Sequence, residues 1–196
     1  IIGVQLWFHA NGIDESKPSK PYKPKSKGIG NSQVLPKDYK VKSQIELVLS
    51  EMAEQVAIRL RRVKKKAKSV HIHISYSRVE SKKSINASKK ITPTQSTKQL
   101  TDHVLSLFRS KYDGGAVRSI AVRYDNLIDD NLTIYTLFDD IKAIEKQRKI
   151  DKTLDTIRDK YGFLSVQNGS MLMEGSRVKE RSKLVGGHAG GMDGLI

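Results

Sequence analysis

Three groups of side chains in this 196-residue sequence stand at spacings that chemistry can use. His71 and His73 are two residues apart, and alternate residues of a strand share a face, so the pair could ligate a metal from one side. No third ligand stands close to them in the sequence. Asp129-Asp130 and Asp139-Asp140 are paired carboxylates of the kind that holds Mg²⁺. Both pairs follow the last predicted strand and belong to no recognisable acid motif, so solvated or docking carboxylates account for them equally well. The third group is the cations. Residues 1–98 hold 21 Lys+Arg against 7 Asp+Glu, whereas residues 99–196 hold 15 against 14, so nearly all of the formal net charge of +15 lies in the front half. Lysine-rich segments also serve solubility, but an excess this lopsided draws polyphosphates to one part of the surface.

Several classes are excluded at once. There is no cysteine, hence no disulfide framework and no Cys-ligated metal or cluster. No window approaches the roughly 18 continuous apolar residues of a membrane span, and neither a signal-peptide core nor a lipidation motif occurs. With 37% apolar residues the chain supports a core of about a hundred residues. A soluble, cytoplasmic, basic protein with no membrane partner is the expectation. The first residue is Ile1 rather than Met, so the sequence is read as a piece of a longer chain, with 1–14 closing an upstream helix.

The elements that must position these groups follow from periodicity. Pro18, Pro21 and Pro24 alternate with Lys17, Lys20, Lys23, Lys25 and Lys27 as a stiff basic linker. A strand is predicted over 29–35, stopped by Pro36. Ser43 and Glu46 form a capping box ahead of a helix whose stripe runs Ile45, Val48, Leu49, Met52, Ala53, Val56, Leu60, Val63 and Ala67. Its end carries Arg59, Arg61, Arg62, Lys64, Lys65, Lys66 and Lys68, which suit the helix dipole and could also offer a phosphate-contacting edge. Residues 69–77 alternate cleanly, Val70, Ile72, Ile74 and Tyr76 against His71, His73 and Ser75. A weaker strand over 82–91 sets Ile85, Ala87 and Ile91 against Ser84, Asn86, Ser88 and Lys90, and ends before Pro93. Ser96 and Gln99 open a second helix with the stripe Leu100, Val104, Leu107, Phe108, stopped at Gly114-Gly115. The last strand spans 117–124.

The order β-α-β-β-α-β predicts an α+β fold: a four-stranded antiparallel sheet, of the ferredoxin-like split-βαβ kind, with both helices on one face. The other face, bearing Ser, Asn, His, Lys and Arg, stays open. It has no interleaved aromatics of the kind that stack single-stranded bases. Small polar and basic groups suit the phosphates of an intact duplex.

The run VRSIAVRYDNL at 117–127 resembles the last little-finger strand of Y-family DNA polymerases, with Ala121 in place of a usual Gly. GIDES at 12–16 is similar to the end of that family's thumb, KSKGIGNSQVLPKDY at 25–39 to its entry into the little finger, AIRLRR at 57–62 to the end of the first helix, and PTQST at 93–97 to the lead into the second. LDTIRDKYG at 154–162 and VGGHAGG at 185–191 resemble the tail of the UmuC-like branch of Gram-positive bacteria, their phages and plasmids. The resemblance implies a translesion polymerase used in DNA damage repair, whose little finger grips the template–primer duplex. In such proteins the Mg²⁺-binding acids belong to a palm that precedes this segment, so no cofactor and no polymerisation are expected of residues 1–196. It implies three parts: 1–27, the thumb end and linker; 28–127, the little finger; and 128–196, a tail with a helix at 139–161. Residues 169–196 resemble no folded unit.

Two strings are similar to the bacterial sliding-clamp peptide, which inserts a Leu-Phe pair into an apolar groove. Val104-Leu105-Ser106-Leu107-Phe108 falls on the core stripe of a helix and reads as packing. Ile134-Tyr135-Thr136-Leu137-Phe138 follows the last strand between acidic flanks, and Ile134, Tyr135, Leu137 and Phe138 are the expected clamp contacts. The expected DNA ligands are Arg118 and Arg123, with Ser75, Ser84, Asn86, Ser88, Lys90 and Ser119. Arg118 and Arg123 have opposite strand parity, which only a bulge or edge geometry reconciles. The alternatives are a stand-alone RNA-binding module of the same fold and an adaptor whose only business is the clamp.

Overall fold

The alternation over 69–77 becomes the middle of the fold. A computed structural model of the chain describes residues 2–14, 28–131, 140–185 and 188–189. After a helix α1 (Ile2–Ala10), strands β1 (Ile29–Tyr39), β2 (Lys65–Tyr76), β3 (Ile85–Thr94) and β4 (Val117–Asp125) form one sheet in the order β1-β4-β2-β3, with every neighbouring pair antiparallel. A two-residue strand β5 (Ile128–Asp129) extends the pairing at Lys65-Lys66. Helices α2 (Lys42–Arg62) and α3 (Thr97–Arg109) pack on one face, α2 over β1 and β4, α3 over β2 and β3. This is the α+β architecture expected from the sequence.

The core is the meeting of two periodicities. Val70, Ile72, Ile74, Ile120, Val122 and Tyr124 of the sheet meet Ile45, Leu49, Met52, Val56, Leu60, Leu100, Val104 and Phe108 of the helices, all fully buried. Burial of each large side chain contributes about 1.5–3 kcal/mol. Tyr124 keeps its polar atom satisfied by donating to the Ala53 carbonyl at 2.9 Å, and burial raises its hydroxyl pKa far above the ordinary tyrosine value. Val104, Leu107 and Phe108 are buried, as packing residues must be.

Several local expectations are corrected. Proline does not stop either edge strand: β1 runs through Pro36 to Tyr39 and β3 through Pro93 to Thr94. An edge strand tolerates a missing N–H where the pairing is already irregular, and the register shifts between Val34 and Tyr39. The Ser43–Glu46 capping box does not form. The N-cap position of helix α2 is Val41, two residues earlier and without a side-chain cap, and Glu46 instead accepts two hydrogen bonds from Arg109 of α3 at 2.9 and 2.6 Å. The helix ends at Arg62, where Lys64 turns the chain with φ 52°, so Lys65–Lys68 belong to β2 and Ala67 is a sheet residue. At the second helix Ser96 does cap, accepting from the Gln99 N–H at 3.5 Å, but the Gln99 side chain goes to Thr94.

The helix expected at 139–161 forms, and the tail departs from expectation after it. Helix α4 (Ile141–Tyr161), N-capped by Asp140, is followed by 3₁₀ turns at Phe163–Ser165 and Gly169–Leu172, helix α5 (Val178–Arg181), and the paired strands β6 (Leu184–Val185) and β7 (His188–Ala189). Residues expected to be unfolded are thus held on the outer side of α2. Glu51 accepts hydrogen bonds from the Ser176 hydroxyl at 2.6 Å and the Arg177 N–H at 2.9 Å, Arg181 donates to Gln55, and the Tyr39 hydroxyl donates to the Gly175 carbonyl. The contacts are polar rather than periodic, which is why hydropathy does not reveal them.

Burial raises the Glu51 carboxyl above its ordinary value, against the opposing hydrogen bonds from Ser176 and Arg177. Its folded-state pKa therefore exceeds the unfolded one, so its contribution is full below the ordinary glutamate range and is lost as pH rises through the raised value. Glu51→Gln is expected to flatten the rise in thermal stability on acidification just above pH 4.5, the ordinary value for this group. Melting curves of both forms across that range check it, and parallel pH profiles would refute it.

Candidate nucleic-acid interface

With both helices on one face, the other face of the sheet is uncovered by them, and register decides what stands on it. Arg123 lies opposite Gly30 on one side and His71 on the other, and His71 in turn opposite Ser88. The next row is Ser32, Ala121, His73 and Asn86; the third is Val34, Ser119 and Ser75, with the Ser84 hydroxyl 3.5 Å from that of Ser75 just before β3. A fourth row holds Asp125, Ser69 and Lys90. The face is therefore mostly hydroxyls, amides, imidazoles and cations, with Val34 and Ala121 as its apolar members and Asp125 as its carboxylate. The buried aromatics, Tyr39, Phe108 and Tyr124, lie in the helix-side core.

The parity of Arg118 and Arg123 is resolved by a bulge. Val117 pairs with Tyr76 and Ser119 with Ser75, so Arg118 is an extra residue on β4. Inserting one residue lets Val117 stay buried while Arg118 and Arg123 are both solvent-accessible, with side chains 45% and 44% exposed. Sequence spacing alone left this open.

Each arginine is held by a carboxylate that the sequence did not single out. Arg123 Nε donates to Asp125 Oδ1 at 2.7 Å, two residues along the same strand face. Arg118 Nη1 is 3.7 Å from Asp38 Oδ1 and reaches the Pro36 carbonyl at 3.5 Å. Such half-exposed pairs add little stability, but they fix the direction of the guanidinium and leave its remaining N–H groups for another acceptor. Arg123 also needs room. A Cβ at Gly28 would lie 2.0 Å from Asp125 Oδ1 and 2.6 Å from Arg123 Nη2, and one at Gly30 would lie 2.9 Å from Arg123 Cβ. The G-x-G at 28–30 was the available signal for this bed.

The histidine pair lies in the middle of the face. His71 Nε2 contacts Asn86 Oδ1, and His73 Nε2 is 2.9 Å from Ser75 Oγ. Among the described residues no cluster of three metal-ligating side chains occurs. Asp129 and Asp130 are engaged by cations, Asp129 by Lys65 at 2.5 Å, Asp130 by Lys66 and Arg148 at 3.2 Å each. The expected phosphate edge at the end of α2 is likewise occupied. Arg61 forms a two-pronged pair with Asp155, Arg62 meets Asp159, and Arg59 donates to the Gly30 carbonyl. The basic linker at 15–27, Asp139, and the expected clamp contacts Ile134, Tyr135, Leu137 and Phe138 lie outside the described residues.

Comparison with known proteins gives this face a context. The family model for the impB/mucB/samB family C-terminal domain matches residues 26–137. A Bacillus subtilis protein named for UV-damage repair, UvrX, is 35% identical over 189 residues, 96% of this chain and 45% of that protein. DNA polymerase IV 2 of Halalkalibacterium halodurans is 30% identical over 187 residues, 95% of this chain and 45% of its own length. The DNA repair protein homolog YobH of B. subtilis is 36% identical over 115 residues, 58% of this chain and 53% of that one. A solved complex of the beta-clamp processivity factor with the little finger domain of PolIV aligns at TM-score 0.42 and 13% identity, over 57% of this chain and 98% of that domain. The chain spans about half the length of the curated relatives it matches. It belongs to the impB/mucB/samB family through that family's C-terminal domain, the little finger of the Y-family DNA polymerases its sequence resembles.

Proposed function

We propose that this domain grips the backbone of duplex DNA through the open sheet face and so holds a template–primer beside a polymerase core, in the repair of damaged DNA. One observation carries the reading: hydroxyl, amide, imidazole and guanidinium groups, with only Gly30, Ala121 and Val34 among them, make up the ordered rows from Gly30 to Ser88 and from Val34 to Ser75, opposite a fully packed core. Such groups donate to phosphate oxygens, position a protein on a duplex and carry no base information. The alternative of single-stranded RNA binding needs aromatic platforms, and the phenylalanine and tyrosines that pack in the core are not available for it. The names of the relatives, UV-damage repair and DNA polymerase IV, support the same setting. Polymerisation itself belongs to the Mg²⁺-binding acids of a palm, outside residues 1–196.

Binding to primed duplex, single-stranded DNA and structured RNA, each across a salt series, tests the grip. The expected result is preference for duplex with log K falling linearly in log salt, at a slope of roughly −0.9 per phosphate engaged. Preference for RNA would overturn it.

The same chain docks on a sliding clamp through 134–138. Support comes from the similarity of Ile134-Tyr135-Thr136-Leu137-Phe138 to a clamp peptide and from the burial of Val104, Leu107 and Phe108 of the competing string in the core. Leu137→Ala with Phe138→Ala is expected to weaken clamp binding at least tenfold, the scale of losing two buried apolar anchors, while leaving duplex affinity unchanged. Clamp affinity that survives the double substitution removes this part of the proposal.

A further inference from the structure

The end of α2 and the start of β2 place Arg61, Arg62, Lys65 and Lys66 along one edge. Every one of them meets a carboxylate supplied by later sequence. Arg61 Nε and Nη2 lie 2.6 and 2.8 Å from the two oxygens of Asp155, Arg62 Nη2 is 2.6 Å from Asp159, Lys65 Nζ is 2.5 Å from Asp129, and Lys66 Nζ is 3.2 Å from Asp130. Asp155 and Asp159 are four residues apart on α4, so they project from one side of the helix about 6 Å apart. A row of carboxylates along a rod, each against a cation, presents what a phosphate backbone presents.

Helix α4 is held mainly by polar and ionic contacts, with Ile144, Leu154 and Ile157 only half-buried. Its only buried residues are Asp151 and Arg158, and its Ile141 and Ile150 stay exposed. Arg158 anchors the far end through Glu54 at 2.8 Å and the Val166 carbonyl at 2.9 Å. An ionic seat of this kind can be exchanged only for an anion that re-pairs the same cations, because Arg61 and Asp155 are largely buried, 11% and 15% exposed, and a buried charge left unpaired is costly. It also weakens with salt wherever it is solvent-accessible, as the Arg62–Asp159 pair is.

We propose that the edge of Arg61, Arg62, Lys65 and Lys66 is a second site for a duplex DNA backbone, and that Asp155 and Asp159 of α4, with Asp129 and Asp130, occupy it in place of phosphates. The partner's identity rests on the open-face reading above; the occupancy of the edge does not. In the closed arrangement each of these four cations faces a carboxylate of its own chain. With α4 displaced, Arg61 and Arg62 lose their carboxylates and become available beside Lys65 and Lys66 to a neighbouring stretch of the same polyanion.

The test uses the 196-residue chain and a fluorescein-labelled 20-base-pair duplex, with affinity read across a salt series. Asp155→Asn with Asp159→Asn is expected to tighten binding about fivefold at low salt and to steepen the log–log salt slope by roughly one to two, the signature of one or two added phosphates. Asp102→Asn with Asp113→Asn removes the same charge elsewhere and should give a smaller gain. Adding Arg61→Gln and Arg62→Gln to the tail variant should abolish the extra gain. A gain no larger than that of the charge-matched control, or one that persists without the two arginines, overturns the proposal. Hydrogen exchange on the unmodified chain gives an answer independent of how the variants fold. Amides of 141–161 should exchange several-fold faster once duplex is added at low salt, and unchanged or slower exchange overturns the proposal. Should these arms fail while Arg123→Ala still weakens duplex binding, only the second site falls; should Arg123→Ala have no effect, the open-face reading falls first.

Discussion

Phe108→Ala is expected to lower the unfolding free energy by about 3–5 kcal/mol, the largest single effect on stability that the fold predicts. Phe108 is fully buried where α3 meets the sheet, its ring 4.7 Å from that of Tyr112, which stacks in turn on Tyr76. Truncation removes the transfer energy of the ring and opens a cavity that the rigid crossing of α3 over β2 and β3 cannot close. The measurement is the urea midpoint at unchanged slope. It also decides between the two clamp-like strings: a loss of stability shows 104–108 at work in the core, whereas a loss below about 1 kcal/mol, with clamp binding impaired, would return that string to candidacy as the docking peptide.

The second large effect concerns affinity. Arg118→Ala combined with Arg123→Ala is expected to weaken duplex binding by one to two orders of magnitude at 0.1 M salt and to make the salt slope shallower by roughly 1.8. Each phosphate contact scales affinity as salt to about the −0.9 power, a factor of roughly eight between 1 M and 0.1 M. The loss should be the same for duplexes of unrelated sequence, since backbone contacts carry no base information. Asp125→Asn serves as a companion: it frees the Arg123 guanidinium from its 2.7 Å partner without removing the cation, so binding should hold or tighten. A double arginine variant that binds as well as the parent would refute the open face as the grip.

Much of this was legible because hydrophobic periodicity is a strong signal. The alternation of Val70, Ile72 and Ile74 and the stripe of α3 fixed which faces meet, and so which face is left over. The capping box at Ser43 was not legible, because Glu46 had a better partner in Arg109, sixty-three residues away. Pro36 and Pro93 misled for a related reason: a proline ends a regular ladder, but both lie on edge strands and inside register shifts. The tail was opaque for a deeper reason. Its attachment is made of pairs such as Arg61–Asp155, Arg158–Glu54 and Glu51–Ser176, and charge pairing over long sequence separations leaves no period to read. For the site, residue types pointed to the open face, whereas the acids that aim the two arginines, Asp38 and Asp125, became visible only from their contacts.

The extra residue in β4 has a geometric corollary. Because Arg118 is the residue that the bulge adds, Arg118 and Arg123 stand about four rungs apart, roughly 13 Å along the strand, more than one phosphate can bridge. Engaging both at once therefore takes separate phosphates, spread over about four base pairs at roughly 3.4 Å of rise each. Oligonucleotides shorter than that should bind as though one arginine were missing.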